Sequence, residues 1–112
     1  MSKDLELVQQ IEKESGMQLK QLQQLDQNTN QRGYVLNTDR MVTSLQLDQI
    51  RLNDWSFLQG LTSLTSLYLS DNKISDYSFL QGLTNLTSLD LSNNKISDYS
   101  FLQGLTNLTS LD

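Results

Sequence analysis

A block of 22 residues occurs twice in this sequence almost without change, as residues 61–82 and 83–104. The three differences are Ser63/Asn85, Tyr68/Asp90 and Asp71/Asn93. A partial third copy covers residues 105–112. Self-similarity at a fixed period of this size is typical of solenoids, in which each repeat packs only against its neighbours. The sequence therefore predicts a solenoid over its second half.

Each block begins with alternating apolar and polar residues. Leu67 and Leu69 alternate with Ser66, Tyr68 and Ser70, so a strand here would point the leucines to one side and the polar residues to the other. One strand this short cannot bury its apolar side alone. We expect equivalent segments to stack as a parallel sheet over a continuous leucine core.

An asparagine follows each predicted strand at a constant offset, as Asn72 and Asn94. A buried asparagine can donate to and accept from backbone groups of the turn that would otherwise lack partners. The alternative is that both residues only form surface turns. The constant offset from the leucines favours the buried ladder.

The second half of each block returns the chain to the next strand. Asp76 and Asp98 are placed to cap a short 3-10 turn, and Gly82 and Gly104 are predicted to supply a permissive backbone. The aspartates could instead be acid catalysts or metal ligands. Their position at the start of the turn favours the capping role.

The leucine spacing resembles that of the leucine-rich repeat superfamily, and within it the short bacterial repeats of the internalin type. The phrase LxxLxLxxN is formed by Leu64, Leu67, Leu69 and Asn72, and again by Leu86, Leu89, Leu91 and Asn94. This resemblance implies an α/β fold: a right-handed solenoid with a parallel sheet on its concave face and 3-10 turns on its convex face.

Residues 39–60 align with the two blocks without a gap and are predicted to be a degenerate first repeat. Asp39 stands at the place of the leading leucine and Ile50 at the place of the ladder asparagine. Both departures suit a coil (one repeat, or one turn of the solenoid) that borders a cap. The predicted repeats are therefore 39–60, 61–82, 83–104 and the partial 105–112.

Residues 1–38 are predicted to form an N-terminal helical cap and a hairpin. Leu5, Val8 and Ile11 form one stripe of a helix over residues 3–15 that ends at Gly16. The following apolar positions fit either a second short helix or a covering strand. The helix could instead bind a partner or a membrane, but its polar side mixes acids with lysines, which favours the cap.

Composition excludes several classes of function. The 112 residues contain no Cys and no His, which removes disulfides, thiol nucleophiles, imidazole bases and the usual zinc sites. The net charge of −5 argues against nucleic acid and anionic membranes as partners. The charged N-terminus is no signal peptide. These features predict a cytoplasmic, non-enzymatic protein without cofactors.

A narrower resemblance concerns the first third of the chain. The segments IEKESGMQL, GYVLN, VTSLQL and DWSFLQGL are similar to the N-terminal repeat region of bacterial Roco-type GTPases. The chain contains no GxxxxGK[ST] phosphate loop, so GTP chemistry is not assigned to it. The resemblance implies only the repeat portion of such a protein.

The polar side of the predicted strands is the candidate site for a protein partner, because solenoids bind partners on their concave surface. Two of the three differences between the blocks lie there, which would suit a recognition surface, although drift at tolerant positions would look the same. The candidate residues are Gln46, Asp48, Ser66, Tyr68, Ser70, Asp71, Ser88, Asp90, Ser92 and Asn93.

The partial last repeat, residues 105–112, carries Leu105, Leu108 and Leu111. With no following coil to cover them, these leucines and the open strand edge predict self-association, most simply as a homodimer. Two function hypotheses therefore remain. One is a protein-interaction scaffold, which is favoured, and the other is a truncated or engineered structural fragment that self-associates.

Overall fold

The computed structural model describes residues 3–23, 32–50, 52, 55–74, 77–94, 100 and 104–111. Helix α1 (Lys3–Ser15) is followed by strands β1 (Lys20–Leu22), β2 (Gly33–Leu36) and β3 (Val42–Gln46). The repeats then alternate 3-10 turns with strands: Ser56–Gly60, β4 (Ser66–Tyr68), Ser78–Gly82, β5 (Ser88–Asp90) and β6 (Ser110–Leu111).

The strands form one six-stranded sheet in which their order along the chain is also their order in space. Neighbouring strands are parallel except for β2 and β3, which form an antiparallel hairpin. Across the repeats Leu45 pairs with Leu67, Leu67 with Leu89, and Leu89 with Leu111. Equivalent residues of successive coils therefore lie side by side, and the predicted leucine-rich repeat solenoid is confirmed.

The core lies between the sheet and the 3-10 turns. The apolar residues of the LxxLxL phrase are buried, and so are Phe79, Leu80 and Leu83 from the return segment. Trp55 and Phe79 stack with ring centroids 6.5 Å apart, and Tyr77 and Phe79 with centroids 6.2 Å apart. Aromatic rings from consecutive coils thus continue the core behind the leucines.

Helix α1 packs on the first 3-10 turn, and its residues Val8 and Ile11 are buried in the core. Leu5, predicted to share their stripe, is only half-buried. Asp4 takes the buried place instead, because its carboxylate accepts the N–H of Val42 at 2.8 Å. The helix ends at Ser15, and the following Gly16 has a φ of 73°, in the left-handed region.

The connections settle one open alternative and correct one expectation. Of the two alternatives for the segment after α1, a short helix or a covering strand, the structure shows a three-residue strand, β1, parallel to β2. Among the described glycines only Gly16 has a positive φ, so Gly82 and Gly104 do not need the conformational freedom of glycine. The turns off the strands use non-glycine residues instead, with Gln49, Asp71 and Asn93 all in the left-handed region.

Candidate functional site

The side of the sheet that faces away from the leucines is the candidate site, and we call it the strand face. On β4 and β5 it carries Ser66, Tyr68, Ser88 and Asp90, which are all half-buried. Alternation within each strand places the intervening Leu67 and Leu89 in the core. The repeats therefore present a surface of polar side chains and one tyrosine on this side of the sheet.

The residues just beyond each strand border this surface. Asp71, Ser92 and Asn93 are exposed, while Asp48 and Ser70 are half-buried. The carboxylate of Asp48 accepts the N–H of Ser70 at 2.7 Å and so joins two coils. Asp90 instead accepts the N–H and the hydroxyl of Ser92 within its own coil, at 3.0 and 2.7 Å. Both carboxylates thus help to shape the border.

Gln46 corrects the prediction of an exposed contact residue, because its exposed fraction is only 6%. It ends β3, which lies between β2 and β4, and its cross-strand partners are Gly33 and Tyr68. Its side-chain oxygen accepts the N–H of Asp48 at 2.8 Å, which folds the amide back over its own strand. Gln46 therefore forms part of the floor of the strand face.

Asn72 and Asn94 lie behind the strand exits and bond to the backbone of neighbouring coils. Asn72 accepts the N–H of Ile50 at 2.7 Å and donates to the carbonyl of Leu47 at 2.9 Å. Asn94 accepts the N–H groups of Asn72 and Ile74 and donates to the carbonyl of Leu69. Asn72 is buried and Asn94 half-buried. Both side chains act as structural links between coils.

A second set of links was not anticipated from the sequence. The hydroxyl of Thr65 donates to the carbonyl of Thr43 at 3.1 Å. In the same way Thr87 donates to the carbonyl of Thr65, and Thr109 to the carbonyl of Thr87, also at 3.1 Å. These threonines occupy one repeat position just before each strand. Their constant 22-residue spacing was the available signal, although a surface threonine in a strand is common enough to hide it.

Residues outside the repeats also reach the strand face. The guanidinium of Arg32 donates to the carbonyls of Asp48 and Gln49 at 2.9 and 3.2 Å. Strands β1 and β2 add Lys20, Leu22 and Val35 to the sheet beside β3. Sequence reasoning confined the candidate surface to the repeats because no periodicity links residues 20–36 to them.

Several predicted residues lie elsewhere. Asp76 and Asp98, expected to cap the 3-10 turns, fall outside the described residues, and the N-cap position of the second turn is Tyr77. Leu105 is buried and Leu108 is partly buried against the core. Leu111 is 47% exposed, whereas its counterparts Leu67 and Leu89 are 0% and 2% exposed.

The chemistry available at this surface is that of hydrogen bonding, charge and one aromatic ring. Within the described residues, no three Asp or Glu side chains are grouped in a way that could hold a metal ion. None of the helices in the described part of the chain is long and apolar enough to cross a membrane.

Comparison with solved structures finds, among other matches, two internalins of Listeria monocytogenes. Internalin inlF superposes with a TM-score of 0.60 at 30% identity, over 70% of this chain and 25% of that protein. Internalin C2 superposes with a TM-score of 0.55 at 24% identity, over 96% of this chain and 53% of that protein. The chain thus spans about a quarter and about half of these internalins, and the second similarity concerns the fold alone.

Comparison with protein families agrees with this architecture. No curated protein sequence matches the chain significantly. The family described as leucine rich repeat matches residues 40–96, and the family described as leucine rich repeats in two copies matches residues 84–112. The chain therefore belongs to the leucine-rich repeat family and is internalin-like in structure.

Proposed function

We propose that this chain is a non-enzymatic protein-interaction scaffold and that its partner contacts the strand face. The internalin-like repeat fold is consistent with such a role, because proteins of this architecture present an extended surface of strands to other proteins. The described surface offers polar side chains and a tyrosine on a rigid sheet, a combination suited to binding.

One observation carries the proposal: the two near-identical coils differ where they meet solvent on this face. Tyr68 pairs directly with Asp90 across β4 and β5, and these equivalent positions hold an aromatic and an acidic residue. Asp71 and Asn93, which also differ, are both exposed beside the strands. The core positions of the two coils are identical, so variation is concentrated at residues that a partner could touch.

The test exchanges the two paired side chains, as Tyr68→Asp with Asp90→Tyr. This variant keeps composition, net charge and core unchanged. A matched control carries Gln59→Ala and Gln81→Ala, both exposed on the 3-10 turns. Each of the three proteins is used to capture partners from a cell lysate, and the captured proteins are measured by quantitative mass spectrometry. We expect some proteins to be captured by the parent and the control but not by the exchanged variant. Identical captured sets for all three proteins would contradict the proposal.

Self-association through β6 is the second candidate, and the 47% exposure of Leu111 favours it. An exposed leucine at a sheet edge is a site for pairing with another chain. We expect residues 1–112 to sediment as a dimer and the Leu111→Glu variant as a monomer. A parent protein that remains monomeric at high concentration excludes this candidate.

The cytoplasmic location and the resemblance to the repeat region of Roco-type GTPases stay predictions. Fractionation of the source cells tests the first. The second requires the protein sequence encoded downstream of Asp112, where a GTPase module is the expected finding.

A further inference from the structure

One row of residues across the sheet joins a basic, an aromatic and an acidic side chain. Lys20 pairs with Gly33, and Gly33 pairs with Gln46. Gln46 in turn pairs with Tyr68, and Tyr68 with Asp90. Directly paired residues project to the same side of a sheet, so all members of this row belong to the strand face.

The middle of the row, at Gly33 and Gln46, lies lower than the side chains of Lys20 and Tyr68 on either side. Gly33 has no side chain, and Gln46 is only 6% exposed, with its side-chain oxygen accepting the N–H of Asp48. A Cβ added at Gly33 would lie 2.8 Å from Cδ1 of Leu22, so the leucine side chain lies over the glycine. The surface between Lys20 and Tyr68 is therefore a shallow depression lined by Leu22 and the ring of Tyr68, with the amide of Gln46 in its floor.

The charge of the strand face changes sign along the same row. Lys20 is exposed on β1, and Arg32 lies close by, bonded to the carbonyls of Asp48 and Gln49. Asp90 lies on β5, and Asp71 is exposed just beyond β4. Four strand spacings of about 4.8 Å separate β1 from β5, or about 19 Å in all. The face thus has a basic end, a shallow depression and an acidic end.

Taking the proposed function as its basis, we propose that the strand face binds an extended segment of a partner protein that carries an acidic, an apolar and a basic residue in that spatial order. The acidic residue lies over Lys20, the apolar residue enters the depression beside Tyr68, and the basic residue lies over Asp90. Complementary charges at the two ends fix the direction in which the segment lies.

The dimensions of the row set the spacing of this motif. An extended chain advances about 3.3 Å per residue, so about six residues separate the acidic residue from the basic one. The centre of the depression is about 7 Å from Lys20, which places the apolar residue about two positions from the acid. The apolar residue is therefore closer in sequence to the acid than to the base, whether the acid or the base is nearer the N-terminus of the peptide.

The experiment selects random 12-residue peptides displayed on phage against the whole chain. The parent is compared with the double variant Lys20→Glu, Asp90→Lys, which reverses the charge of the row. The equivalent positions of Asp90 in two other coils hold Gln46 and Tyr68, so the position accommodates long side chains, and circular dichroism checks that the variant keeps the fold. The matched control is Lys13→Glu with Asp39→Lys, at exposed sites off the strand face.

We expect parent and control to enrich peptides whose apolar residue lies near an acid, with a base about four positions further on. The reversed variant should enrich the opposite arrangement and bind the parent's peptides about tenfold more weakly, since two attractive ion pairs become repulsive. The same peptides enriched by parent and reversed variant would overturn the inference.

The Tyr68→Ala variant separates this inference from the proposed function. If peptides bind Tyr68→Ala more weakly but bind the charge-reversed variant as well as the parent, the strand face remains a binding surface and only the motif is refuted. If peptides bind Tyr68→Ala as well as the parent, they bind outside the strand face, and both the motif and the proposed function are refuted. A selection that yields no Tyr68-dependent peptide has the same meaning.

Discussion

The side-chain oxygen of Asn94 accepts the backbone N–H of Asn72, one coil earlier, at 3.0 Å. It also accepts the N–H of Ile74 at 2.9 Å. Asp71 and Lys73 both have φ values in the left-handed region, and alternating backbone conformations of this kind point successive N–H groups into one concavity. The turn after β4 is therefore a small oxygen-binding nest, and the asparagine of the next coil fills it.

Removing one of these asparagines should strongly destabilise the fold. The Asn72→Ala variant leaves the buried N–H of Ile50 and the carbonyl of Leu47 without the bonds that Asn72 makes. An unsatisfied buried polar group costs about 1–3 kcal/mol, so we expect the free energy of unfolding to fall by about 2–4 kcal/mol. Urea denaturation followed by circular dichroism measures it.

Asn85→Ser is the matched control for this prediction, because Ser63 holds the equivalent position in the preceding coil. Asn85 is exposed and donates only one described side-chain bond, to the carbonyl of Thr62. We expect a change of less than about 0.5 kcal/mol. Equal effects of the two substitutions would show that the buried ladder does not stabilise the coils.

The repeats could be predicted because their signal is local and periodic. Leu67 and Leu89 alternate with polar residues along each strand and recur after 22 positions, which determines both the side of the sheet and the neighbour in the stack. Asn72 was predictable for the same reason, since its offset from the leucines is constant. No knowledge of distant contacts was needed for either residue.

The N-terminal part could not be predicted to the same depth because its contacts join unrelated segments. Asp4 looks like an ordinary acidic residue in a first helical turn, and its partner Val42 lies 38 positions later. Gln46 looks exposed by alternation, yet it is only 6% exposed in a strand that pairs on one side with β2. Such pairings follow from how the N-terminal segment docks on the first coil, which carries no repeat signal.

The left-handed turn residues predict a stabilising substitution. Gln49 has a φ of 58°, a conformation that costs a residue with a side chain about 1–2 kcal/mol and glycine almost nothing. Part of this gain is lost to the greater freedom of glycine in the unfolded chain. We expect Gln49→Gly to raise the free energy of unfolding by about 0.5–1 kcal/mol in urea denaturation.

The control for Gln49→Gly is Gln81→Gly, at an exposed position of the second 3-10 turn where φ is not positive. Glycine brings no relief of strain there, and we expect a loss of about 0.5–1 kcal/mol. If both substitutions destabilise the protein equally, the left-handed turn at Gln49 is not strained.

Two glycines predict opposite outcomes for the same change to alanine. A Cβ at Gly33 would lie 2.5 Å from the carbonyl oxygen of Lys20, whereas a Cβ at Gly82 meets nothing within 4 Å. Gly33→Ala should therefore push β1 away from β2 and cost about 1–3 kcal/mol. Gly82→Ala should be neutral or stabilise the protein by up to about 1 kcal/mol.

Hydrogen exchange locates the effect of Gly33→Ala. The backbone amides of Lys20–Leu22 should lose protection while those of β4 and β5 keep theirs, since only β1 is displaced. Uniform loss of protection along the chain would contradict this local mechanism. It would indicate instead that β1 is required for the folding of the whole sheet.

The buried carboxylate of Asp4 tests whether α1 serves as the cap of the solenoid. Asp4 is 2% exposed and accepts the N–H of Val42, which begins β3. Asp4→Ala removes the acceptor and should lower the free energy of unfolding by about 1–3 kcal/mol. Asp4→Asn retains a side-chain oxygen of the same shape, so we expect less than half of that loss.

Asp39→Ala, in the exposed hairpin turn, should change stability by less than about 0.5 kcal/mol. Hydrogen exchange of the Val42 amide provides the direct readout, and its protection should fall for Asp4→Ala but remain for Asp39→Ala. If Asp4→Ala leaves this amide protected, the bond does not hold α1 on the first coil and the capping role is refuted.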